Sequence, residues 1–436
     1  MKIKRTYLFL IIVITIFSFL IRIFRISEPP GYYFDEVYHV VTARGYANNN
    51  PAAYNPFAPP PEPKTAFDWL HPPLAKLIQA ASIKIFGDNS ISWRLPSAIF
   101  GTAIIPATFI LANILFGPLT AIFAATVIAF ENMTFVMSRI TMNDVFVTFF
   151  TICAFIFTAL YLRHKKTKDL VLTSIFLGLA VAAKWTGLYA VAAVLIYLIW
   201  HRIKSTSEES WLRKLSLTPS EVLKMLLLIL IPILIYLGSY GQFWLQGHSI
   251  QQFINLHKQI WWYQNRSDLK HTYGSNALFC VPEGLGGPKS WCPWVLDMRP
   301  VYFSYEQYGE KAGYIYSLGN PVVFWVGLLA VSYLLGKFIE ERRKEYALIL
   351  LGYFVFWVPW IFSPRILFMH HYLPSIPFLS ISLGFALFAI NKISRFSAIL
   401  IIIMIIAAFF FFYPITSSYP INPDAINKFM WLKSWR

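Results

Sequence analysis

Residues 7–24 read YLFLIIVITIFSFLIRIF, an apolar run interrupted by a single charged residue, Arg22. A helix that crosses a lipid bilayer needs roughly 20 mostly apolar residues, so this run predicts a membrane-spanning helix. The basic start of the chain, MKIKR, gives the run a superficial likeness to a secretory signal peptide. However, the run continues to about Phe24 and no small-x-small cleavage site follows it, so we expect the helix to remain in the chain.

The composition extends this prediction to the whole chain. Of the 436 residues, 57% are hydrophobic and 13% are charged, whereas soluble domains carry about 25% charged residues. A formal net charge of +16 is also found in nucleic-acid binders. Scattered basic residues between apolar runs are instead typical of topology determinants and of contacts to lipid phosphates. The three cysteines are too few for a disulfide scaffold or a metal cluster.

The apolar runs predict about eleven spanning helices. They lie near residues 7–24, 95–116, 118–137, 140–162, 168–183, 184–200, 221–243, 321–338, 345–362, 368–389 and 395–413. With the N-terminus placed in the cytoplasm, nearly every short basic cluster falls on the cytoplasmic side, as the positive-inside rule requires. We therefore expect a plasma-membrane protein with a cytoplasmic N-terminus and an outer C-terminus. An even number of helices, which would place the C-terminal tail inside, is the alternative.

This topology predicts an all-α polytopic membrane protein with two long outer loops. An N-terminal transmembrane module, 1–243, contains the first outer loop, 25–94; an outer cap loop at 244–320, C-terminal helices at 321–414 and an outer tail at 415–436 follow. The middle of the first loop, NNNPAAYNPFAPPPEPK, is rich in Pro and Asn, which predicts irregular structure. After it, HPPLAKLIQAASIKIFG predicts a short interfacial helix, because prolines are tolerated in a first turn and an apolar stripe follows them.

The first outer loop opens with GYYFDEVYHV, residues 31–40, which places Asp35 and Glu36 side by side among aromatic residues. Ordinary loop carboxylates, or partners of Arg22 and Arg25, would explain the pair without any chemistry. The aromatic setting favours a function, because partial burial raises the pKa of a carboxylate and makes it a usable base. We therefore predict Asp35 and Glu36 as the catalytic residues.

Further polar residues are predicted at the outer ends of spanning helices. They are Arg139, Asp144, Lys184, Arg365, His370 and His371. Cations on this side run against the positive-inside rule, so each needs an anion. Any one of them alone is explained as a snorkelling residue or as a member of an internal ion pair. Three cations at separate outer turns favour a shared anionic ligand at the outer leaflet, for which a lipid-linked phosphate is the natural candidate.

An outer carboxylate that faces a lipid phosphate suits inverting glycosyl transfer. One carboxylate removes the proton of the acceptor hydroxyl, and arginine or lysine stabilises the departing phosphate, so no partner acid is required as in glycosidases. The signatures of other classes are missing: the sequence has no Asp-x-Asp and no His-Glu-x-x-His, and EGLGGPKS, residues 283–290, lacks the adjacent Gly-Lys of a phosphate loop. The sequence therefore requires no cofactor or metal, and stimulation by a divalent ion stays open.

Eight short motifs in order along the chain resemble those of the protein O-mannosyltransferase family, which belongs to the GT-C class of membrane glycosyltransferases. They are FDEVYHV, HPPLAKL, SRITMNDVF, AAKWTGLY, HTYGS, MRPVYF, LGNP and MHHYLP. The resemblance extends from about residue 28 to 380. No single motif is decisive, but the Asp-Glu pair, HPPLAK and HHYLP in this order are specific together.

The resemblance implies a donor, an acceptor and roles for single residues. The donor is a polyprenyl- or dolichyl-phosphate-mannose, and the acceptor is a serine or threonine of an exported protein. Asp35 matches the family's proposed general base, and Glu36 matches a neighbour that positions acceptor or sugar. Arg139 matches an arginine that acts through the donor phosphate or through the geometry of the first loop. The resemblance also adds residues with less defined roles on the donor side: His71, Lys76, Lys184 and His371.

The sequence also departs from the family in two places. The cap loop is too short for the β-trefoil module of eukaryotic members, which indicates a prokaryotic form. Tyr263-Gln264 stands where prokaryotic relatives often show Tyr-His, so the acceptor is the part least defined. Another GT-C enzyme with a lipid or glycan acceptor is the first alternative. A transporter of lipid-linked sugars is the second, although transporters usually carry internal repeats and midplane charges. Whether the chain works alone or as a dimer stays open.

Overall fold

The computed structural model describes residues 4–205, 218–266, 268, 292–364 and 367–435. The predicted phosphate ligand Arg365 and the HTYGS motif at 271–275 lie outside the described residues. The fold is mostly helical, and its helices fall where the apolar runs predicted them.

The described residues up to 239 form helices joined by loops. These helices are α1 (Arg5–Ile23), α2 (Glu36–Ala47), α3 (Leu74–Phe86), α4 (Ser90–Phe116), α5 (Pro118–Ala129), α6 (Asn132–Met137), α7 (Asp144–His164), α8 (Thr167–Ala183), α9 (Gly187–Ser205) and α10 (Pro219–Ser239). The C-terminal part comprises α11 (Gly241–Leu245), α12 (Ile250–Gln264), β1 (Val301–Tyr308), β2 (Lys311–Ser317), α13 (Pro321–Glu341), α14 (Lys344–Val355), α15 (Ile376–Ile393) and α16 (Arg395–Thr416). Short 3₁₀ helices lie at Pro51–Tyr54, Cys292–Leu296, Val358–Phe362, Met369–Ser375, Pro423–Lys428 and Lys433–Trp435.

Eight helical stretches of the described chain are long and apolar enough to cross a membrane. They are Arg5–Ile23, Ser90–Phe116, Asp144–His164, Pro219–Ser239, Pro321–Glu341, Lys344–Phe362, Met369–Ile393 and Arg395–Thr416. Helix α5 and most of α9 are apolar but shorter. Each of the eleven predicted runs therefore coincides with a helix, which confirms a polytopic membrane fold, whereas the count of eleven spans stays a prediction.

Four of the predicted spans are not continuous helices: 118–137, 221–243, 345–362 and 368–389. The run predicted at 118–137 divides after Ala129, because the side chain of Glu131 accepts hydrogen bonds from the backbone N–H groups of Met133 and Thr134 and so caps the new helix α6. The run predicted at 368–389 begins with a 3₁₀ turn that contains Pro374, and α15 starts at Ile376. The breaks before α6 and α15 bring polar residues to one end of the bundle.

The helices differ in how deeply they lie within the protein. In the most apolar part of α7, 78% of the residues are buried, and in the stretch that contains α15 the share is 72%. In α1 and α10 only 17% of the corresponding residues are buried. Helices α7 and α15 are thus central, and α1 and α10 are peripheral. Large apolar side chains on α1 are exposed, among them Phe9 and Ile16, as expected for a surface that faces lipid.

Successive long helices run in alternating directions, so the end of one helix and the start of the next lie at the same end of the bundle. At one end, Lys165 after α7 repels Lys224 of α10 and Lys344 of α14. At the other end, the C-terminus of α1 and the N-termini of α4 and α7 meet around the first long loop. The first end therefore carries a cluster of lysines, and the second end holds Asp35 and the charged groups around it.

The short helix predicted after HPP is confirmed as α3. Ile85 of its apolar stripe is 71% exposed, whereas Lys76 and Gln79 on the other face are completely buried. The face of α3 that carries Lys76 and Gln79 therefore turns into the protein, and the stripe that ends at Ile85 turns outward. That this face lies on the membrane surface stays a prediction.

The cap loop was predicted without strands, and here the structure differs. Strands β1 and β2 pair as an antiparallel hairpin whose turn is Gly309-Glu310. Gly309 has a φ of 62°, which suits the first position of a two-residue hairpin turn. On the other side of β2, Ala312 pairs with Ile421 of the outer tail. The hairpin and the tail thus meet through one isolated bridge at the end of the bundle that carries the first loop.

Candidate active site

The loop between α1 and α2 carries two adjacent carboxylates, of which the first is partly exposed and the second is completely buried. Phe34 adopts a φ of 49°, and its ring stacks on that of Phe303 at a centroid distance of 4.1 Å. This conformation turns the chain sharply, and Asp35 becomes the N-cap residue that precedes α2. The side chain of Asp35 is partly buried, makes no capping bond to α2 and no hydrogen bond to any other described residue. It is therefore available to a substrate.

Charged groups from three other elements surround Asp35. Burial raises the pKa of its carboxyl, and the carboxylates of Asp68 and Asp144 raise it further. His39, one turn along α2, and Lys184, between α8 and α9, act in the opposite direction. The balance leaves Asp35 with a pKa above its ordinary value, which suits a residue that takes up a proton.

Glu36 lies in a different environment. It is completely buried, and its two oxygens accept hydrogen bonds from Nε and Nη2 of Arg94 at 2.9 and 2.8 Å. The backbone N–H groups of Thr141 and Tyr33 donate to the same carboxylate at 3.0 and 3.3 Å. Both oxygens are thus engaged within the protein. The geometry favours a positioning role for Glu36 over the direct part in chemistry that the sequence predicted.

Arg94 extends this positioning to the whole start of the first loop. Besides Glu36, its guanidinium donates to the carbonyl oxygens of Ile26, Pro29 and Gly31 at 2.8–2.9 Å. All five N–H groups of a guanidinium are therefore used. Sequence reasoning missed Arg94, which lies at the N-terminal end of α4 and links that helix to the loop that carries Asp35.

Arg139 holds the other end of the same loop. Its guanidinium donates to the carbonyl oxygens of Arg22, Phe24 and Arg25 at 2.6, 2.7 and 3.0 Å, where the last carbonyls of α1 have no partner within the helix. The hydroxyl of Tyr33 in turn donates to the carbonyl of Arg139. Of the two roles that the sequence left open, the geometry favours control of the first loop over contact with a phosphate.

Lys76 forms a buried group with Asp68 and His39. Its ammonium lies 2.8 Å from Asp68 Oδ2 and also donates to the carbonyls of Asp68 and His71. His39 Nδ1 lies 3.0 Å from the same Oδ2, although without the alignment of a hydrogen bond. Burial opposes ionisation of Asp68, but Lys76 and the two histidines hold its pKa well below the usual range. Lys76 is fully engaged here, which favours a positioning role.

His71 completes this side of the site. Its ring lies parallel to that of His39 at a centroid distance of 6.2 Å. Burial lowers the pKa of His71 to about 3, and Asp68 offsets only part of this effect. The ring is therefore neutral at physiological pH, with one nitrogen that donates and one that accepts. Such a ring suits hydrogen bonding to a sugar or phosphate better than charge pairing.

Asp144 and Lys184 form the third group. Lys184 Nζ lies 2.7 Å from Asp144 Oδ1, and both side chains are more than nine-tenths buried. The second oxygen, Asp144 Oδ2, is buried and has no hydrogen-bond partner in the described chain. An ammonium has three N–H groups, so this pair leaves donors of Lys184 for a further anion.

The two adjacent histidines point to different surroundings. His370 is buried, lies within electrostatic range of Asp144, and its ring is 5.8 Å from that of Phe34. Its Nδ1 has no hydrogen-bond partner in the part of the chain that the structure describes. His371 Nδ1 instead lies 2.8 Å from the carbonyl of Phe368, and its ring packs against Trp360. Only His370 thus joins the Asp35 group directly.

The residues of the site therefore divide into a frame and a group around Asp35. The frame consists of Glu36, Arg94 and Arg139, which fix the first loop. The group around Asp35 contains two partly exposed residues, Asp35 and His71, and the buried residues His39, Asp68, Asp144, Lys184 and His370. Sequence reasoning missed His39 and Asp68, although the spacing of four residues from Asp35 to His39 on one helix was a usable signal. Within the described residues, no group of three or more His, Cys, Asp or Glu is placed to hold a metal ion.

Family models match almost the whole chain. Residues 12–246 match the model described as dolichyl-phosphate-mannose-protein mannosyltransferase. Residues 249–435 match the C-terminal four-transmembrane region of protein O-mannosyltransferase. The chain belongs to the protein O-mannosyltransferase family. This membership confirms the resemblance seen in the sequence motifs and makes the protein a glycosyltransferase.

Bacterial relatives match this protein O-mannosyltransferase over most of their own length. A polyprenol-phosphate-mannose–protein mannosyltransferase of Corynebacterium glutamicum is 26% identical over 371 residues, which cover 73% of this chain and 70% of the relative. Its counterpart in Mycobacterium tuberculosis is 24% identical over 434 residues, which cover 84% of this chain and 81% of the relative. The match over most of both chains agrees with the predicted prokaryotic form.

Solved structures confirm the GT-C fold of the mannosyltransferase. The Saccharomyces cerevisiae Pmt1–Pmt2 complex bound to the sugar donor superposes with a TM-score of 0.77 at 16% identity, and the match covers 100% of this chain and 93% of the yeast chain. ArnT of Cupriavidus metallidurans bound to undecaprenyl phosphate gives a TM-score of 0.59 at 15% identity, with coverage of 91% and 63%. At these identities the likeness concerns the fold alone.

Proposed function

We propose that this protein transfers mannose, with inversion, from a polyprenyl-phosphate carrier to serine or threonine hydroxyls of exported proteins at the outer face of the plasma membrane. The observation that carries the proposal is the contrast between two neighbouring carboxylates. Glu36 is enclosed by Arg94, whereas Asp35 is open, has no hydrogen-bond partner in the described chain and has a raised pKa. Asp35 is therefore the general base.

In the proposed reaction, Asp35 removes the proton of the acceptor hydroxyl as its oxygen attacks C1 of the mannose. The bond between C1 and the phosphate oxygen breaks, and the phosphate departs with the bonding electrons. Lys184 stabilises its charge through the donors that Asp144 leaves unused. His71 and His370 lie in the same group and hydrogen-bond the sugar or the phosphate. No partner acid is needed, because the leaving group is already ionised.

Two further observations support the donor, the acceptor and the orientation. The bacterial relatives bear the name of an enzyme that uses polyprenol-phosphate-mannose and acts on protein. In this chain, Lys165, Lys224 and Lys344 gather at the end of the bundle opposite to Asp35. The positive-inside rule places that basic end in the cytoplasm, and the site then faces outward. A dimer of this chain stays a prediction.

The test is an assay of purified protein in detergent with polyprenyl-phosphate-mannose and a Ser/Thr-rich peptide. Asp35→Asn keeps the size of the side chain and removes the base, so we expect turnover to fall by about 100-fold or more, while donor binding persists. Asp424→Asn is the matched control, because Asp424 is exposed on the outer tail, and it should retain turnover. Full activity of Asp35→Asn would remove Asp35 from the chemistry. Absence of transfer by the wild type to any peptide, with donor bound, would point to another sugar or a non-protein acceptor.

A further inference from the structure

The hairpin beside the active site has one paired edge and one open edge. On the side of β2, Ala312 exchanges two backbone hydrogen bonds with Ile421, and the N–H of Ser418 donates to the carbonyl of Tyr314. The outer tail thus pairs with β2 through one isolated bridge, on the side of β2 that faces away from β1. The side of β1 that faces away from β2 is therefore the open edge of the hairpin.

The register identifies which backbone groups the edge presents. The residues that flank the two-residue turn, Tyr308 and Lys311, form a hydrogen-bonded pair, and bonded and non-bonded pairs alternate from there. The outward bonds of Ala312 and Tyr314 in β2 agree with this phase. Their partners Gln307 and Tyr305 are therefore the residues whose N–H and C=O groups point away from β2. These groups have no backbone partner among the described residues.

This edge begins at the active site and follows the first loop. At its start, the ring of Phe303 stacks on that of Phe34, next to Asp35, and lies 6.1 Å from the ring of His370. At its end, the hydroxyl of Tyr308 donates to Glu28 at 2.9 Å. Strands rise about 3.3 Å per residue, so the free groups lie roughly 7 to 14 Å along the strand from Phe303.

We propose that the acceptor polypeptide binds in an extended conformation as an added strand on the open edge of β1. The inference rests on the proposed function and specifies how the same site takes its protein substrate. Backbone hydrogen bonds to Tyr305 and Gln307 hold the peptide, and its hydroxyl residue lies a few positions further along, at Asp35. Strand addition of this kind recognises the main chain of a peptide. The acceptor is thus selected by its ability to extend, and its side chains matter less.

The surface around the edge agrees with this occupant. Tyr302 and Tyr305 are about half exposed, at 49% and 48%, on the same edge strand. Their rings offer flat apolar area on which side chains of many kinds can rest. Tyr302, Tyr305 and Gln307 are uncharged, so they do not require a charged side chain in the acceptor.

The experiment compares Tyr305→Pro with Tyr305→Ala. Both substitutions remove the phenol ring, but only proline removes the outward N–H and blocks strand addition, and proline is tolerated where an edge N–H faces solvent. Transfer to an extended Ser/Thr-rich peptide is measured beside transfer to N-acetylserinamide, which has no flanking residues to pair with the strand. We expect the ratio of kcat/KM for peptide over N-acetylserinamide to be about tenfold lower in Tyr305→Pro than in Tyr305→Ala, which corresponds to about 1.4 kcal/mol.

The same measurements separate failure of this inference from failure of the proposed function. Equal ratios in the two variants, with active wild-type protein, would overturn strand addition and leave the mannosyltransferase intact. Peptides that carry a single backbone N-methyl group provide a second readout that needs no protein variant. A loss of affinity at alternate positions on one side of the serine supports the edge, whereas no positional dependence overturns it. Wild-type protein that mannosylates neither acceptor would instead count against the proposed function.

Discussion

At the scale of single residues, the ionisation of Asp35 sets the pH range of the reaction. Burial raises the pKa of its carboxyl above the ordinary value of about 3.9. A general base works only when it is deprotonated, so kcat/KM should rise with pH through this raised pKa. We expect the acid limb of the pH profile of kcat/KM to lie above the range of an exposed aspartate. A limb at or below pH 4 would contradict the assignment.

The raised pKa of Asp35 also predicts how Asp35→Asn changes stability, and measuring that stability is a control for the loss of turnover. Between the ordinary and the raised pKa, the folded protein holds a proton that the unfolded chain has released, so stability is lost as the pH rises. At neutral pH the buried charge is therefore a cost, and asparagine removes it. Asp35→Asn should be as stable as the wild type or more so, and its lost turnover cannot then be attributed to unfolding.

Two adjacent acids were predictable from the sequence, and the family resemblance assigned them different roles, but the contacts that separate those roles were not predictable. Asp35 and Glu36 share one aromatic stretch, and nothing in that stretch distinguishes them. The difference arises from Arg94, which lies far along the chain and encloses only Glu36. Asp68 was missed for the same reason, since its partner Lys76 was assigned to the donor. Pairings across a fold cannot be derived from local patterns, whereas the position of the acids could.

At the scale of secondary structure, Arg139 joins the end of α1 to the turn before α7. Arg139→Ala removes the guanidinium that donates to the carbonyl oxygens of residues 22, 24 and 25, of which, in the described chain, only that of Arg25 also accepts from a backbone N–H, that of Glu28. Each lost bond to a charged group costs about 1.5–3 kcal/mol. We therefore expect a marked drop in thermal stability in detergent, with a loss of activity that follows the loss of folded protein.

Arg139→Lys is the informative companion to this prediction. Lysine keeps the charge but has one ammonium in place of a planar fork, so it cannot reach several carbonyls at once. A role in the geometry of the loop predicts that lysine rescues little stability. Normal thermal stability of either variant, with a raised KM for the donor, would return Arg139 to the phosphate site.

The elements themselves were predictable to different degrees. Spanning helices follow from apolar length, and all eleven predicted runs coincide with helices. The break at Glu131 was missed, because a single capping carboxylate within an apolar run gives little signal. The hairpin was missed although VYFSYEQYGEKAGYIYS shows aromatic and β-branched residues on both sides of a Gly-containing turn, which is typical of a hairpin.

At the scale of the whole molecule, the proposed transfer to exported proteins requires that the Asp35 end of the bundle faces the outside and the basic end faces the cytoplasm. The basic end and the Asp35 end are distinguished by charge, and the positive-inside rule converts that difference into an orientation. Phe57 of the first loop is 76% exposed at the Asp35 end. Lys166, in the turn between α7 and α8, is exposed at the basic end. The two positions therefore form a matched pair for labelling.

Cysteines introduced as Phe57→Cys and Lys166→Cys, with Cys280 and Cys292 replaced by serine, report the orientation in intact cells. A maleimide that cannot cross the membrane should label Phe57→Cys directly and Lys166→Cys only after permeabilisation. The native Cys153 is buried in α7 and gives the background. The opposite pattern would place Asp35 in the cytoplasm, where exported proteins could be reached only before their export. The acceptor proposed here would then be wrong, while the base, the frame and the donor phosphate contacts would stand.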